Sequence, residues 1–399
     1  MLRNVRGTTD SVIVVRHGID VRDRIGVVGI GTLGVTIAQL GLDRGGSVVM
    51  IVRPGAGKVE RAEAAIDASI EREVRAGRVG DAAEMRARAV VTDDLAALRD
   101  CPVVVESVIE DIAAKQAAVA AIEPFLAPTA VIASATSTIP AATIGAGAAR
   151  PDRIVVAHYV WPANRVRLVE FAAADDADPA AVSTVLALLD RQDKTVVRAR
   201  DVAGFLITRV VFAYWNEMIE LLCEGWSPSE LDAALEAAGW PMGPCRLIDR
   251  TSLTTPLPVL AVVGSVMQGR ADAIGLLAPL VAAGHSGVAA GRGLYEYTDG
   301  DRRDHAAALA MLPRRPRQPG DPVERLVDAL ANEAGWCVSE GVVAGWDDAA
   351  LGVDAAYGFP GGLLAHVGDG RALRARLQHR AETIAPRFTP SPAIAADRG

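Results

Sequence analysis

His158 and Glu170 are the two residues of this sequence whose types and spacing best suit chemistry. His158 follows an apolar run predicted to be a strand, 153–157, and Glu170 lies within a second predicted strand, 166–171. A proline-containing loop between the runs could fold the two side chains together. An imidazole held by a carboxylate is a general acid/base with a fixed tautomer, suited to taking a proton from an alcohol. The pair predicts oxidation of a hydroxyl; the alternative is a structural histidine near a surface glutamate.

A glycine-rich turn near the start of the chain predicts a dinucleotide site. An apolar strand, 24–29, runs into Gly29-Ile30-Gly31-Thr32-Leu33-Gly34, and the following segment, 35–42, has helical periodicity. In such a strand–turn–helix unit the first glycine makes a tight turn, the second lets the backbone approach the pyrophosphate, and the third allows close packing. We therefore expect the cofactor to be bound by Gly29, Gly31, Thr32, Leu33 and Gly34.

The end of the second predicted strand, 47–52, bears on the choice between NAD and NADP. Val52 and Arg53 stand where an acidic residue that binds the adenosine ribose is usual, and Lys58 and Arg61 follow. A missing carboxylate together with an arginine is the pattern that accommodates a 2′-phosphate. An arginine that only stacks on the adenine would fit either cofactor. The sequence leaves NAD and NADP open.

The order of predicted elements indicates an α/β fold, in which a Rossmann-type dinucleotide-binding domain precedes an all-α C-terminal region. Strands and helices alternate first, which predicts an open, mostly parallel sheet whose ligands bind beyond the carboxyl ends of the strands. The charged segment 58–89 interrupts this order and is predicted to be an inserted hairpin of two helices. The later chain is helical, and its second half weakly echoes its first: Asn216-Glu217 has a counterpart in Asn332-Glu333.

These patterns divide the chain into six predicted segments. They are an N-terminal extension (1–23), the dinucleotide-binding domain (24–201), a first helical repeat (202–298), a linker (299–321), a second helical repeat (322–385) and a tail (386–399).

Composition excludes several classes of function. The chain has 399 residues and a formal net charge of -8, which argues against nucleic acid as a partner because phosphate binding requires a basic face. The N-terminus lacks a signal-peptide pattern and no apolar stretch reaches spanning length, so we expect a cytoplasmic protein without membrane contact. The four cysteines show no C-x-x-C pattern, so no metal site or disulfide framework is expected.

Several motifs, taken together and in order, resemble the 3-hydroxyacyl-CoA dehydrogenase family. They are the glycine turn, the inserted hairpin, Val105-Glu106-Ser107-Val108-Ile109-Glu110, Ser134-Ala135-Thr136-Ser137-Thr138, the block from His158 to Glu170, Gly204-Phe205, Pro241-Met242-Gly243-Pro244, and Gly291-Arg292-Gly293-Leu294-Tyr295. The resemblance covers roughly residues 24 to 370. It includes a second helical repeat like that in the dehydrogenase part of the fatty-acid oxidation multifunctional enzyme.

The resemblance implies a role for each matching position. His158 is similar to the catalytic base and Glu170 to its partner, and Ser137 would place its hydroxyl on the substrate oxygen. Glu110 and Lys115 resemble the pair that holds the nicotinamide ribose, and the hairpin resembles the one that lies over CoA. The implied reaction is hydride transfer between the C3 hydroxyl of a 3-hydroxyacyl thioester and NAD or NADP, in fatty-acid or related acyl metabolism.

Three positions near the expected reacting centre depart from the family, which usually has asparagine at each. They are Ala135, Trp161 and Thr208. The pocket has thus lost amide donors and gained an indole while keeping the acid/base pair, so the acyl substrate is expected to differ. Two alternatives follow: oxidation of a hydroxyacyl group tethered to an acyl-carrier protein in a biosynthetic pathway, or a catalytically weak, cofactor-binding homologue.

Two further expectations come from the resemblance. Dehydrogenases of the 6-phosphogluconate or hydroxyisobutyrate type share the architecture but need a lysine in the helical domain, and no lysine follows Lys194. Family members with one helical unit pair through it. A second unit in the same chain could imitate that pairing and leave a monomer, with a homodimer as the alternative.

Overall fold

An eight-stranded sheet followed by two sets of helices makes up residues 24–298 and 301–394, the part of the chain that the computed structural model describes. The predicted N-terminal extension, 1–23, and the last residues of the predicted tail, 395–399, lie outside the described residues. In chain order, the elements of the first domain are β1 (Arg24–Val28), α1 (Thr32–Asp43), β2 (Ser47–Ile51), α2 (Lys58–Arg75), α3 (Ala82–Ala87), β3 (Ala89–Thr92), β4 (Val103–Glu106), α4 (Ile112–Ile122), β5 (Val131–Ser134), α5 (Ala141–Ile144), β6 (Ile154–Tyr159), β7 (Leu168–Ala173), α6 (Pro179–Arg191) and β8 (Thr195–Arg198).

The sheet has the order β3-β2-β1-β4-β5-β6-β7-β8. Its neighbouring strands are parallel except for β6 and β7, which are antiparallel. The central strands are short runs of valine and isoleucine that are buried, because helices cover both faces of the sheet. The order reverses between β1 and β4, which is where an open α/β sheet leaves a crevice for a ligand. The predicted fold class is confirmed.

The inserted segment 58–89 forms the predicted hairpin of α2 and α3. Glu73 of α2 is buried and accepts hydrogen bonds from Arg78, 2.5 Å from its Oε2, and from Arg165, 3.1 Å from its Oε1. Arg165 belongs to the loop between β6 and β7, so this ion pair fastens the hairpin to the loop that follows His158.

Helices dominate the rest of the chain, as predicted. Their elements are α7 (Leu206–Cys223), α8 (Pro228–Ala237), α9 (Pro244–Thr251), α10 (Pro256–Met267), α11 (Ala278–Ala282), β9 (Tyr295–Thr298), β10 (Asp301–Asp304), α12 (Ala306–Leu309), α13 (Pro322–Ser339), α14 (Trp346–Tyr357), α15 (Leu363–Val367) and α16 (Arg371–Thr383). We call α7 to α11 the first helical unit and α13 to α16 the second. The segment expected to be a linker contains β10, which pairs with β9 in an antiparallel hairpin.

The two helical units pack against each other through α7 and α13. Arg209 of α7 donates from Nε to Glu333 of α13 at 2.8 Å, and Arg325 of α13 donates from Nε to Glu217 of α7 at 2.8 Å. The two contacts are reciprocal and are related by one constant offset along the sequence. Both arginines are 1% exposed. The pairing therefore resembles that of two identical subunits related by a twofold axis.

The asparagines that precede these glutamates have equivalent roles. Asn216 accepts a hydrogen bond from the backbone N–H of Ala273, and Asn332 accepts one from the N–H of Ser391, both at 2.8 Å. Residues 386–394, assigned above to the tail, consequently pack against α13, with Phe388 and Ser391 buried.

Among the described residues, no helix combines the length and apolar composition needed to cross a membrane. The same residues contain no group of three or more His, Cys, Asp or Glu side chains that could hold a metal ion, and the four cysteines are buried and unpaired.

Candidate active site

His158 and Glu170 lie opposite each other in the antiparallel ladder of β6 and β7. The Nδ1 atom of His158 is 2.7 Å from Oε2 of Glu170, and the two residues are 9% and 1% exposed. The ladder continues through His158, so the residue lies inside β6 instead of following it. Because a carboxylate only accepts hydrogen bonds, this contact places the proton of the neutral imidazole on Nδ1 and leaves Nε2 as the basic nitrogen.

The other oxygen of Glu170 receives a backbone hydrogen bond from the start of α7. The N–H of Ile207 donates to Oε1 at 3.0 Å. In the described structure α7 has no side-chain cap of its own at Phe205. The buried carboxylate therefore satisfies a free N–H at the positive end of an 18-residue helix, and the helix dipole stabilises its charge.

Thr208 connects the same turn of α7 to the loop after β5. Its hydroxyl donates to the backbone carbonyl of Ser137 at 2.9 Å, and the N–H of Gly204 donates to the carbonyl of Thr138 at 2.9 Å. The start of α7 thus touches both Glu170 and the loop that carries Ser137, which brings the predicted acid/base pair, Ser137 and Thr208 into one neighbourhood.

Ser137 is held by Glu110, which follows β4. Oε1 of Glu110 accepts hydrogen bonds from the backbone N–H of Ser137 at 2.8 Å and from its hydroxyl at 2.9 Å, and the hydroxyls of Thr136 and Thr138 donate to the same oxygen. Burial alone would raise the pKa of Glu110. The ammonium of Lys115 and these donors outweigh it and hold that pKa below its usual range.

Lys115 lies beneath this loop and is 1% exposed. Its Nζ is 3.2 Å from both carboxylate oxygens of Glu106 and 3.3 Å from Oε2 of Glu110. Glu106 also accepts a hydrogen bond from the hydroxyl of Ser134 at 2.6 Å. The sequence patterns predict no separate role for Glu106. The signal was present, since a glutamate that closes a strand of three valines must be buried and therefore needs partners.

The glycine turn has the geometry that a dinucleotide requires. Gly29 has a φ of +106°, and a Cβ there would lie 2.4 Å from the carbonyl oxygen of Ser107; a Cβ on Gly34 would lie 2.0 Å from the carbonyl oxygen of Gly29. A Cβ on Gly31, by contrast, would meet nothing within 4 Å in the described part of the chain. The turn is thus closed towards the protein and open on the side where Thr32 and Leu33 begin α1. Free N–H groups at such a helix start bind a pyrophosphate.

Arg53 extends from the turn after β2 and is exposed, with no hydrogen bond or ion pair to any other described residue. Lys58 is at the start of α2 and donates to the carbonyl oxygen of Pro54 at 3.2 Å. With Arg61 one turn further along α2, the region after β2 presents three cations and no acidic side chain before Glu60.

Trp161 lies in the loop after His158 and is 38% exposed, whereas Ala135 is buried. Several contacts fasten this loop: the N–H of Ala163 donates to the hydroxyl of Thr36 at 3.1 Å, Lys194 donates to the carbonyls of Ala163 and Val166, and Arg165 pairs with Glu73. The indole is therefore presented to solvent from a well-anchored loop.

Two of the motifs that carry the resemblance stabilise the first helical unit and lie outside this neighbourhood. Asp249 accepts hydrogen bonds from the N–H groups of Leu294 and Tyr295, and a Cβ on Gly293 would lie 2.2 Å from its Oδ1. Asp232 accepts from the N–H of Cys245 at 2.9 Å, and a Cβ on Gly243 would lie 2.2 Å from its Oδ1. These glycines allow a backbone segment to close on a buried carboxylate.

Comparison with known proteins identifies two matching regions. Residues 24–202 match the family described as 3-hydroxyacyl-CoA dehydrogenase, NAD binding domain, and residues 204–297 match 3-hydroxyacyl-CoA dehydrogenase, C-terminal domain. The fatty acid oxidation complex subunit alpha of Shewanella amazonensis is 31% identical over 283 residues, which cover 69% of this chain and 40% of that protein. The chain thus spans about two fifths of the length of the curated relatives it matches.

Solved structures agree with these matches. FadB2 of M. tuberculosis is 31% identical, with a TM-score of 0.66 over 70% of this chain and 100% of that chain. The 3-hydroxybutyryl-CoA dehydrogenase of Escherichia coli is 21% identical, with a TM-score of 0.79 over 94% of this chain and 98% of that chain, so its fold includes a counterpart of the second helical unit. With a dinucleotide-binding domain and a helical domain that both match, the chain belongs to the 3-hydroxyacyl-CoA dehydrogenase family.

Proposed function

We propose that this protein transfers a hydride between the C3 hydroxyl of a 3-hydroxyacyl thioester and a nicotinamide cofactor, with acyl-CoA as the substrate. The observation that carries the proposal is the hydrogen-bonded pair of His158 and Glu170. It lies at the same edge of the sheet as the open glycine turn, because β1 and β6 both point their carboxyl ends towards that edge.

In the direction of oxidation, His158 accepts the proton of the C3 hydroxyl at Nε2. Glu170 keeps the imidazole in the tautomer that leaves this nitrogen free, and its charge stabilises the imidazolium that forms. A bound nicotinamide cofactor would supply the hydride acceptor. The hydroxyl of Ser137, which donates to Glu110 in this structure, could rotate about its Cα–Cβ bond and donate to the substrate oxygen instead.

Two groups of residues would bind the two parts of the cofactor. Gly29, Gly31, Gly34 and the start of α1 would hold the pyrophosphate. Glu110 would contact the nicotinamide ribose, since its side chain is 17% exposed, while the buried Lys115 would act as its counter-ion. This refines the implied ribose-binding pair, because only one of its members has access to a ligand.

NADP(H) is proposed to bind at least as well as NAD(H). Supporting this, the chain has Val52 where a ribose-binding acid is usual, and the exposed Arg53 beside it has no ion-pair partner in the part of the chain that the structure describes. A guanidinium can make charge-assisted, often bidentate hydrogen bonds to a phosphate.

A thioester tethered to an acyl-carrier protein is the second candidate substrate, and the exposed Trp161 favours it. An indole is larger than the asparagine side chain usual at this position and donates only from its ring nitrogen. Three residues after His158, it would narrow the space for a long acyl group.

We also propose that the protein is a monomer. The reciprocal contacts between α7 and α13 occupy, within one chain, the surfaces through which family members with one helical unit would pair. The mass in solution, measured by light scattering during gel filtration, should equal that of one chain at micromolar concentrations. A mass of two chains would contradict this proposal and leave the proposed activity untouched.

A single set of assays tests the activity. Purified protein is given acetoacetyl-CoA and acetoacetyl-acyl-carrier protein in parallel, each with NADH and with NADPH, and cofactor oxidation is followed by absorbance. Turnover with either tether that is lost in His158→Ala supports the proposal and identifies the tether. Cofactor binding without turnover on either tether would instead support the cofactor-binding homologue.

A further inference from the structure

The second helical unit reaches the catalytic neighbourhood through α14. This helix packs against α7, β7 and β8. At its middle, Gly352 lies so close to the start of α7 that a Cβ would be 2.9 Å from Cδ2 of Leu206 and 3.5 Å from Cγ2 of Val197. Val197 of β8 is the register partner of Glu170. The absence of a side chain at Gly352 therefore allows α14 to pack closely against β8, next to the strand that carries Glu170.

The last residue of α14, Tyr357, makes a polar contact with the turn of α7 that holds Glu170. Its hydroxyl donates to the backbone carbonyl of Ile207 at 3.1 Å. The N–H of the same Ile207 donates to Oε1 of Glu170, whose Oε2 contacts His158. The backbone of Ile207 is thus hydrogen-bonded on both sides, through its carbonyl to Tyr357 and through its N–H to Glu170.

The orientation of Glu170 depends on this turn. Within the described residues its hydrogen-bond partners are His158 and Ile207, and the carboxylate is 1% exposed, so water cannot replace a lost donor. Thr208, the next residue, holds the carbonyl of Ser137. A shift of this turn would displace Glu170 and the Ser137 loop together.

Tyr357 can act as a donor over the whole working range of pH. Burial, with a contribution from the charge of Glu170, raises the pKa of Tyr357 well above its usual value. The hydroxyl therefore stays protonated.

We propose that Tyr357 is a positioning residue for the reaction, through which the second helical unit fixes the start of α7 and thereby aligns Glu170 on His158. This inference rests on the proposed function. On this view the second unit contributes to catalysis as well as to the packing of α7, although none of its residues is proposed to touch the substrate.

The test replaces the hydroxyl alone, in Tyr357→Phe, and compares it with Tyr214→Phe. Tyr214 is a matched control because it is a buried tyrosine of α7 whose hydroxyl has no partner among the described residues. The full-length protein is used. The readouts are the single-turnover rate of hydride transfer, the affinity for cofactor, the pH profile of oxidation and the melting temperature.

We expect Tyr357→Phe to slow hydride transfer about 3- to 10-fold, the range for the loss of one hydrogen bond, with cofactor affinity unchanged. The acid limb of the pH profile should move to lower pH, because a misaligned Glu170 stabilises the imidazolium less. Tyr214→Phe should change neither quantity.

Three outcomes would overturn the inference: a Tyr357→Phe rate within a factor of 1.5 of wild type, an equal loss in Tyr214→Phe, or a slower rate whose pH profile does not move. Wild-type protein without turnover on either tether would instead remove the proposed function, and this inference with it. The two failures are therefore distinguishable.

Discussion

The two members of the acid/base pair should differ in what their loss costs. In His158→Ala no group remains to take the proton, so turnover is expected to fall by about 10²–10⁴-fold. Glu170→Gln keeps the imidazole but removes its charge partner, and should cost less. Cofactor affinity should stay nearly constant in both variants, because the glycine turn is a separate part of the structure.

Steady-state kinetics together with titration of cofactor fluorescence would check this. A His158→Ala enzyme that turns over within a factor of two of wild type would remove the proposed mechanism.

Arg53 offers a test of cofactor choice. Against a 2′-phosphate the guanidinium makes charge-assisted contacts, whereas against a bare ribose it contributes little. Arg53→Ala should therefore weaken binding of NADPH by about 10-fold or more and that of NADH much less. Dissociation constants for both cofactors measure this directly, with Arg72→Ala, further along α2, as a control. Equal losses for the two cofactors would mean that Arg53 only stacks on the adenine.

Variants at Trp161 and Thr208 test the proposed change of substrate. Restoring amide donors in the double variant Trp161→Asn, Thr208→Asn is expected to raise kcat/KM for acetoacetyl-CoA by ~10-fold, about 1.4 kcal/mol in the transition state. In the structure the hydroxyl of Thr208 donates to the carbonyl of Ser137. The asparagine that replaces it must therefore make the same hydrogen bond through its side-chain NH₂ group. The single variant Trp161→Asn serves as the control. An efficient wild type and a slower double variant would contradict the idea of an altered substrate.

For single residues, the sequence predicted the catalytic pair but not the residues that surround it. The proximity of His158 and Glu170 followed from two apolar runs joined by a short loop, a local pattern. The contacts of Ile207 with Glu170 and of Tyr357 with Ile207 join positions 37 and 150 residues apart in the chain. A backbone donor has no side-chain signature, and a tyrosine at the end of a helix is ordinary, so neither contact could be predicted from the sequence.

Among the elements, the inserted hairpin of α2 and α3 should depend on pH through Glu73. Hydrogen bonding to Arg78, followed by that to Arg165, lowers the pKa of Glu73 from 4.5 to about 2 despite its burial. A depressed carboxyl pKa means stability that is complete above pH about 4.5 and is lost as pH falls towards 2.

Glu73→Gln should accordingly lower the free energy of unfolding at pH 7 by roughly 1–2 kcal/mol, a value reduced for the half-exposed cations that pair with it. Denaturant unfolding at pH 7, 4 and 3 would show the difference from wild type shrinking below pH 4. The control, Glu71→Gln, changes an exposed residue of the same helix that pairs with Arg75. A constant difference at all three pH values would mean that packing, not charge, accounts for the loss.

Elements with a strong hydrophobic periodicity could be predicted from the sequence, whereas elements with a weak periodicity could not. The apolar pattern over residues 206–223 predicts one long helix, and α7 has these bounds in the structure, because a long amphipathic pattern has one interpretation. Strand β8 is only four residues long, and β10 consists of polar residues alone, so neither had a hydrophobic pattern to reveal it. Residues 386–394 had too few apolar positions to indicate that Phe388 and Ser391 are buried beside α13.

For the whole molecule, the cluster around Arg325 is one of the buried contacts that hold the two helical units together. Its guanidinium contacts Glu217 and Glu224, and it is 1% exposed. Removing the cation in Arg325→Leu leaves buried carboxylates with fewer partners, which typically costs about 3–5 kcal/mol.

Equilibrium unfolding would check this against Arg303→Leu, which breaks an exposed ion pair with Glu296 and should cost less than about 1 kcal/mol. Similar losses in the two variants would show that the buried cluster contributes no more than a surface pair.

Because the two paired helical units belong to one chain, the two sides of their interface can differ in sequence. In a symmetric homodimer a single codon specifies both sides of the interface, so each substitution appears twice and must suit both positions at once. Here Arg209 and Arg325 are encoded independently, and so are the helices α8 and α14 that follow them. The second helical unit can therefore acquire a residue such as Tyr357 without the same change in the first unit. Selection can act on each unit of this nearly symmetric pair separately.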